Sequence, residues 1–421
     1  MLSFFKKFIY YLIVFEISSL KIVQSKEDAL DLTALKNLVD YLQIPSVHPN
    51  VNYDDCVSFL KRQAQSLNLT ANVFKLHPIK PIVIITWEGK KPDKPSILIN
   101  GHMDVVPVNA KEWKYPPFEA KIDKNGNIYA RGAQDMKSNT IQYIEAIRRL
   151  KLKGIRLERT IHLSLMPDEE TGGELGMKSF VESKHFKDLN IGFALDEGFP
   201  ASENKYHVTY GERTLFEIWI HCPGKSGHGS NLSPNTAGEK LQIVIDRFLE
   251  FRKTEKKKFD DSGRMDNVTS INLTMLKGGV QVNVVPDMLS VAFDIRVSPF
   301  VNFTQFIGMI EGWLREAGSG VNYTVIDKGT QIEVTKLDSS NIYWLAFKQA
   351  CDENSVKIET LIMPAATDSR YLRALGIPAL GFTPLSNTTV TAHAHDEYIN
   401  KNEFFKGIKI LEQILLKVAN V

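Results

Sequence analysis

Acidic and histidine side chains occur in five clusters that could carry chemistry. The clusters are Gly101-His-Met-Asp104, Arg131-Gly-Ala-Gln-Asp135, Pro167-Asp-Glu-Glu-Thr-Gly-Gly173, Leu195-Asp-Glu-Gly198 and Ala392-His-Ala-His-Asp-Glu397. Each alone has a structural explanation, such as a capped helix or strand end. Together they offer nitrogen and oxygen donors without sulfur, which suits zinc and also cobalt or manganese. The carboxylates exceed what one catalytic zinc needs, so two metals bridged by a carboxylate fit better.

The spacing of the residues within two clusters predicts the directions in which their side chains point. His102 and Asp104 are positions i and i+2 of an extended segment and therefore face the same side. A carboxylate beside an imidazole would fix its tautomer and raise its basicity as a ligand. The consecutive acids Asp168, Glu169 and Glu170 repel one another unless a cation or proton separates them. Because adjacent side chains diverge, one glutamate can bind metal while its neighbour faces substrate.

The elements around the clusters predict an α/β fold. Apolar runs at 96–100, 160–166 and 191–195 read as buried strands, and isoleucines at helical spacing predict a helix after Asp135. Such alternation predicts a layered domain with a mostly parallel sheet, whose strand ends carry the clusters. From residue 208 the order changes to β-β-α-β-β-α. We therefore predict a discontinuous catalytic domain (28–207 and 329–421) with an inserted α+β dimerisation or lid domain (208–328).

The bulk composition excludes several classes. The 421 residues carry a formal net charge of +2, and the single tight basic run, Lys256-Lys257-Lys258, follows a helical pattern. We expect a solvated helix end there and no nucleic-acid binding. Three distant cysteines, Cys56, Cys222 and Cys351, leave one disulfide possible but favour buried free thiols.

The N-terminus predicts a secretory signal peptide over residues 1–25. Lys6 and Lys7 precede eight apolar residues, too few to span a bilayer. An uncleaved anchor and a buried helix are the alternatives. Asn-x-Thr sequons are compatible with secretion; they begin at Asn68, Asn267, Asn272, Asn302, Asn322 and Asn387. We expect a protein that is secreted or lumenal, with a cytoplasmic location as the alternative.

From about residue 30 to 415 the sequence resembles the co-catalytic zinc metallopeptidase family of aminoacylases, carboxypeptidase G and succinyl-diaminopimelate desuccinylases. Within it, four segments resemble the aminoacylase-1 branch: Ala194-Leu-Asp-Glu-Gly198, Gly278-Gly-Val280 with Asn283, Phe293-Asp-Ile-Arg-Val297 and Ile362-Met-Pro-Ala-Ala-Thr-Asp368. The resemblance implies hydrolysis of N-acyl-L-amino acids by a zinc-dependent aminoacylase with two Zn²⁺ per subunit. A dipeptidase or carboxypeptidase of the same family is the nearest alternative. A non-catalytic binding or dimerisation relative and a metal-binding structural protein are the others.

The resemblance also implies roles for the clustered residues. The metal ligands would be His102 and His393, one for each metal, with Asp135 bridging and Glu170 and Glu197 completing the shells. His393 takes this place rather than His395 because the family's ligand lies four residues before a glutamate, here Glu397. Asp196 remains an alternative to Glu197. Asp104 would orient His102, and Glu169 would be the general base.

In the insert, the resemblance implies residues that bind substrate and stabilise the oxyanion. His228, in a glycine-rich loop, would reach the site of a neighbouring subunit, which requires a homodimer. Asn283 and Arg296 match positions that contact substrate, and Arg296 could pair bidentately with the carboxylate of the amino acid. Arg370 is a second candidate for that pairing.

Overall fold

The computed structural model describes residues 26–421. The predicted signal peptide lies outside the described residues. The helix Ala237–Ser262 begins with a capping box of Thr236 and Glu239. The helices, numbered in chain order, are α1 (26–42), α2 (Asp54–Ser66), α3 (Lys137–Leu152), α4 (Ser179–Glu182), α5 (Lys184–Asp188), α6 (Ala237–Ser262), α7 (Phe303–Ala317), α8 (Ile342–Glu353), α9 (Ser369–Ala374) and α10 (Lys401–Val418).

The strands are short, and several end next to the acidic clusters. In chain order they are β1 (Thr70–His77), β2 (Lys80–Trp87), β3 (Ser96–His102), β4 (Lys121–Ile122), β5 (Asn127–Tyr129), β6 (Ile161–Met166), β7 (Ile191–Asp196), β8 (Tyr206–Glu212), β9 (Thr214–Pro223), β10 (Gly227–His228), β11 (Ser270–Gly278), β12 (Val284–Val285), β13 (Met288–Val297), β14 (Asn322–Lys328), β15 (Ile358–Met363), β16 (Ala379–Phe382) and β17 (Tyr398–Asn400).

The described chain forms two compact units. The first contains residues 26–207, Asp338–Glu359 and Phe382–Val421, and the second contains Val208–Leu337 and Thr360–Gly381. Strands β8, β15 and β16 each cross a boundary between them along the chain.

The first unit has an α/β architecture, as the sequence predicts. Its own strands follow the order β1-β2-β6-β3-β7, with β6, β3 and β7 parallel at the centre and β1 and β2 antiparallel at the edge. Strands β3 and β6 are buried along their whole length, which is why they read as continuous apolar runs. Helix α3 packs against β3 and α10. This arrangement brings the ends of three parallel strands to one edge, where the acidic clusters follow.

Two features fix the loops next to that edge. The buried Lys137 ammonium, at the start of α3, donates to the Ile44 carbonyl at 2.6 Å and to the Tyr41 carbonyl at 3.3 Å. A small sheet, β17-β5-β4, joins segments distant in sequence. Strand β5 precedes the Arg131–Asp135 segment and β17 follows the Ala392–Glu397 segment, so their pairing holds both segments together.

The second unit contains the predicted β-β-α-β-β-α order, as β8, β9, α6, β11, β13 and α7. Its antiparallel sheet has the order β11-β13-β9-β14, so the sequence missed the edge strand β14 and the two-residue ladder β10–β12. Strand β9 alternates buried and half-buried residues, because one face packs on α6 and α7. Phe248 of α6 stacks on Phe293 of β13 with ring centroids 4.1 Å apart.

The compact units differ from the sequence-based division in one respect. Residues 329–337 and 360–381 group with the insert rather than with the catalytic domain. The Thr335 hydroxyl donates to the Ala379 carbonyl at 2.7 Å, and buried Arg373 and Glu212 form an ion pair at 2.8 Å. These contacts join segments far apart in the chain, so local patterns could not reveal them.

Two smaller predictions are confirmed. Cys56, Cys222 and Cys351 are all buried free thiols. The basic run lies on the exposed end of α6, where Lys256 and Lys257 pair with acids one turn later. Within residues 26–421, no helix combines the length and apolar character that crossing a bilayer requires.

Candidate metal centre

His102 is the last residue of β3, and a hydrogen bond to the main chain holds its ring. Its Nδ1 donates to the main-chain carbonyl of Asp104 at 2.9 Å. A carbonyl only accepts, so Nδ1 carries a hydrogen and Nε2 is the atom available to a metal. That Nε2 lies 3.0 Å from Oδ1 of Asp135.

Asp135 is shared between two histidines. While its Oδ1 faces His102, its Oδ2 lies 3.2 Å from Nε2 of His393. Asp135 comes from the segment before α3, and His393 comes from the segment before β17. Because each oxygen of Asp135 lies near a different histidine, this carboxylate has the geometry to bridge two metal ions.

Each histidine has a second acidic neighbour. Glu197, which directly follows β7, lies 3.4 Å from Nε2 of His102. Glu170, in a 3₁₀ turn after β6, lies 3.0 Å from Nε2 of His393. The five predicted ligands therefore form two half-sites, each with one histidine and one glutamate, joined by Asp135.

Glu169, for which the role of general base is predicted, lies beside the cluster. Its Oε2 is 4.0 Å from Nε2 of His102, and His102, Glu169 and Glu197 each have one side-chain nitrogen or oxygen within 4.8 Å of those of the other two. Asp196 instead has an oxygen that accepts from the Asn100 side chain at 3.0 Å and from the Glu197 amide. Glu197 rather than Asp196 thus faces His102.

Asp104 holds the ring of His102 through its main-chain carbonyl rather than through its carboxylate. Its nearer oxygen lies 3.7 Å from Nδ1, and the carbonyl takes that hydrogen bond because the strand ends at His102. The buried carboxylate instead accepts from the amides of Asp168 at 2.9 Å and Glu170 at 3.1 Å, and lies 2.8 Å from Nε2 of His48. Asp104 therefore fixes the turn that carries both glutamates.

That turn includes a strained residue. Asp168 has a φ of 118°, in the left-handed region that non-glycine residues rarely adopt. Its own Oδ2 accepts from the Leu175 amide at 2.9 Å, and its amide donates to Asp104. Such strain persists where several surrounding contacts hold the backbone in one conformation. Here this conformation directs Glu169 and Glu170 into the cluster.

Glu397 organises the segment that carries Asp135. Its buried carboxylate accepts from the Arg131 guanidinium at 2.8 Å and from the amides of Gly132 at 3.0 Å, Gln134 at 2.6 Å and Asp135 at 3.2 Å. Burial raises the pKa of Glu397 to about 7. Arg131, which pairs with Glu397, also donates to the main-chain carbonyl of His393 at 3.4 Å, so this ion pair connects the segment of the bridging acid to that of the histidine.

Gln134 adds a second connection between the same two segments. Its side-chain nitrogen donates to the carbonyls of Thr389 at 2.9 Å and Tyr398 at 2.8 Å. Its side-chain oxygen accepts from the amides of Thr391 at 2.8 Å and Ala392 at 3.1 Å. Three hydrogen bonds of the amide therefore hold the loop before His393, and the fourth reaches β17 after it.

The electrostatics of the cluster fit divalent cations. Burial and the nearby charge of Asp135 raise the pKa values of Glu170 and Glu197. Hydrogen bonds to Asp135 and Glu170 raise the pKa of His393 to about 10. Burial would raise the pKa of Asp135, but its hydrogen bonds to the two histidines hold it well below the usual range. The acids thus require positive charge among them, either as protons or as metal ions.

The four predicted substrate residues lie in the second unit. His228 and Asn283 are neighbours there, because β10 pairs with β12 and the Gly229 amide donates to the Asn283 carbonyl at 2.8 Å. The His228 side chain is exposed and pairs with the Ser230 hydroxyl at 2.7 Å.

The two arginines already have partners. Arg296 donates bidentately to the Asp294 carboxylate, at 3.0 and 2.8 Å. Arg370 lies over the ring of Tyr371, 4.8 Å from its centroid, and donates to its hydroxyl at 3.3 Å. Binding of a substrate carboxylate by Arg296 would require it to share or exchange Asp294, so this role stays a prediction.

Comparison with known proteins places the whole cluster within one family. The model of peptidase family M20/M25/M40 matches residues 98–417, a range that contains all five half-site residues. The chain belongs to this family. Aminoacylase-1 of Mus musculus is 44% identical over 383 residues, covering 90% of this chain and 94% of the relative. Aminoacylase-1 of Dictyostelium discoideum is 39% identical over 397 residues, covering 91% and 96%.

A solved structure confirms the fold. The M20 family metallo-carboxypeptidase Sso-CP2 of Sulfolobus solfataricus has a TM-score of 0.69 at 20% identity, covering 92% of this chain and 99% of that chain. The predicted family, its aminoacylase-1 branch and the α/β fold class are therefore confirmed. The metallopeptidase fold and the donor set together indicate use of divalent metal.

Sequence reasoning missed three positioning residues: His48, Gln134 and Glu397. Gln134 and Glu397 stood inside the clusters, and Glu397 served only to choose between His393 and His395. The signal that could have found Glu397 is its place next to β17, since a buried acid beside a strand needs several donors. Nothing near His48 in the sequence points to Asp104.

Glu397→Gln should weaken metal binding about ten- to a hundred-fold, the usual effect of losing a group that orients ligands. The new amide would direct N–H groups at the main-chain donors of Gly132, Gln134 and Asp135. Competition with a fluorescent chelator measures the affinity. The matched control is Glu412→Gln, a buried glutamate of the same unit that pairs with Lys153. Equal metal affinity in the two variants would contradict the role assigned to Glu397.

Proposed function

We propose that the chain hydrolyses the amide bond of N-acyl-L-amino acids, giving a carboxylate and a free L-amino acid. The observation that carries the proposal is the pair of half-sites joined by Asp135, in a chain 44% identical to an aminoacylase-1. Side chains that can bind divalent metal and act as a base are all present and close together.

Two Zn²⁺ ions per subunit, with Co²⁺ or Mn²⁺ as alternatives, suit the half-sites. His102 and Glu197 would hold one, His393 and Glu170 the other, and Asp135 would bind both. Zinc lowers the pKa of water and polarises a carbonyl oxygen. The donor set and the separate partners of the two Asp135 oxygens support this assignment.

Glu169 is the group suited to moving the proton. It is held beside His102 by the turn that Asp104 fixes, yet it is not needed to complete either half-site. Its carboxylate would take a proton from the attacking water and deliver it to the amine that leaves. The substrate carboxylate would be held by Arg296 or Arg370, with Asn283 as a further contact.

We also propose a homodimer in which His228 acts on the partner's substrate. The loop after β11 supports an interface, because Val280 and Val282 are 88% and 105% exposed. Apolar side chains this exposed are typical of protein contacts when they cluster. His228 would supply a hydrogen-bond donor to the oxyanion.

Secretion is a proposal that depends on residues 1–25. A basic pair followed by a short apolar run is the pattern of a signal peptide. The enzyme would then act on extracellular or lumenal N-acyl amino acids.

A dipeptidase or carboxypeptidase activity is the second candidate, because the same fold occurs in the metallo-carboxypeptidase Sso-CP2.

The zinc-loaded protein should cleave N-acetyl-methionine or a long-chain N-acyl amino acid, and a chelator should abolish the cleavage. An unblocked dipeptide and a peptide with C-terminal glutamate should remain intact. Release of free amino acid, followed by chromatography, measures each reaction. Cleavage of the dipeptide alone would transfer the function to the peptidase branch.

Glu169→Gln should reduce kcat by about 10²- to 10⁴-fold, the usual contribution of a general base. Metal content should not change, because Glu169 completes neither half-site. Turnover and metal analysis on the same sample measure both. The control is Glu174→Gln in the same loop, an exposed residue that pairs with Lys178. A variant that retained full turnover would exclude Glu169 as the base.

Mixing inactive Glu169→Gln and His228→Ala proteins should restore activity once their subunits exchange. If His228 acts across the dimer, each heterodimer has one complete site, so an equal mixture should reach about a quarter of wild-type activity. Turnover before and after exchange measures this. No recovery, with exchange verified by differently tagged chains, would show that His228 does not act across subunits.

A further inference from the structure

The Asn-x-Thr sequons have no place in the catalytic account. Six occur, at Asn68, Asn267, Asn272, Asn302, Asn322 and Asn387, and Asn231 begins an Asn-x-Ser triplet. The composition of the chain would produce about three sequons of either kind by chance. The excess consists of the threonine type, which calls for a physical explanation.

All six asparagines are compatible with a glycan in the folded protein. Each is exposed. A glycan is attached through Nδ2 and leaves Oδ1 able to accept hydrogen bonds. Asn302 uses Oδ1 to accept from the Gln305 amide at 3.0 Å as the N-cap of α7, and Asn272 uses Oδ1 to accept from Arg252 at 3.2 Å. These two structural contacts therefore survive the modification.

The backbone at other sequons also places the side chain at a turn. Asn68 and Asn387 have φ values of 51° and 48°, in the left-handed region, at positions between elements. Asn267 lies in the connection between α6 and β11. Surface turns of this kind accept a bulky substituent without moving a helix or strand.

Asn322 has a place with a structural consequence. It is the first residue of β14, an edge strand of the second unit's sheet. Further along the same strand, Val325 and Ile326 are 47% and 54% exposed. An exposed edge strand with apolar residues can pair with another chain, and proteins protect such edges with bulky or charged groups. A glycan at Asn322 would protect this edge.

We propose that the chain, on entering the secretory pathway, is N-glycosylated at these Asn-x-Thr sequons and that the glycan at Asn322 shields the β14 edge. The proposal rests on the proposed secretory location, but not on the proposed hydrolase activity. Site occupancy and targeting are therefore measured separately.

The test compares two forms of the protein produced in cultured animal cells. One has the native N-terminus, and the other has residues 26–421 behind an established cleavable signal peptide. Peptide N-glycosidase in ¹⁸O water converts each glycosylated asparagine to a labelled aspartate, which mass spectrometry assigns. We expect at least four of the six sites to be occupied in the second product. Three or fewer would overturn the glycosylation proposal.

The native product tests the location alone. If it is secreted and carries the same glycans, both proposals stand. If only the product with the added signal peptide is glycosylated, the sites are correct and the proposed secretory location is wrong. Asn302 is checked with Thr304→Ala, because this variant removes the sequon and keeps the asparagine that caps α7.

The edge role is tested with Asn322→Gln in the secreted material, and Thr304→Ala is the matched control because it removes the glycan at Asn302, which precedes helix α7 rather than lying on an edge strand. Light scattering during storage at high concentration measures association. We expect Asn322→Gln to form larger species than the control. Equal behaviour would overturn the edge role and leave the glycosylation itself standing.

Discussion

The carboxylate of Asp135 lies between two histidines that come from distant parts of the chain, and the rest of the first unit serves to keep it there. Oδ1 is 3.0 Å from His102 and Oδ2 is 3.2 Å from His393. With Glu170 and Glu197 added, three buried or half-buried carboxylates lie within a few ångströms of the two histidines. Such a cluster is stable only with compensating positive charge, which makes metal binding and local stability parts of the same requirement.

The fold meets this requirement with hydrogen bonds to main-chain groups. Asp104 holds the turn that carries Glu170, and Glu397 holds the segment that ends in Asp135. Gln134 connects that segment to the loop before His393. Rigid supporting groups of this kind keep ligands in place before a metal arrives, so little ordering remains to be done on binding.

The sequence predicted the parts of this site that depend on local pattern. Strands β3, β6 and β7 were recognisable as apolar runs, and the acids at their ends were recognisable from composition and order. The supporting network was not predictable in the same way. The side chain of Asp104 pairs with His48 rather than His102, and Glu397 reaches back to residues 131–135. Both contacts depend on tertiary packing across long sequence separations.

The same limit applies to the second unit. The last helix of the predicted β-β-α-β-β-α order is present as α7, whose buried Phe306, Ile310 and Leu314 repeat about one turn apart. Strand β14 was missed, since its mostly exposed residues lack the alternation of a half-buried strand. The attachment of residues 360–381 to this unit was also hidden, as it depends on contacts with Glu212 and Asp266.

In the site described above, one carboxylate, that of Asp135, joins two metal half-sites. Native mass spectrometry of the zinc-loaded protein, which counts ions bound to each chain, tests it most directly. The account predicts two ions for the wild-type chain and fewer than two for Asp135→Asn, whose amide nitrogen cannot serve as a ligand for either metal. A wild-type chain that binds a single ion, or an Asp135→Asn variant that retains two, would contradict it.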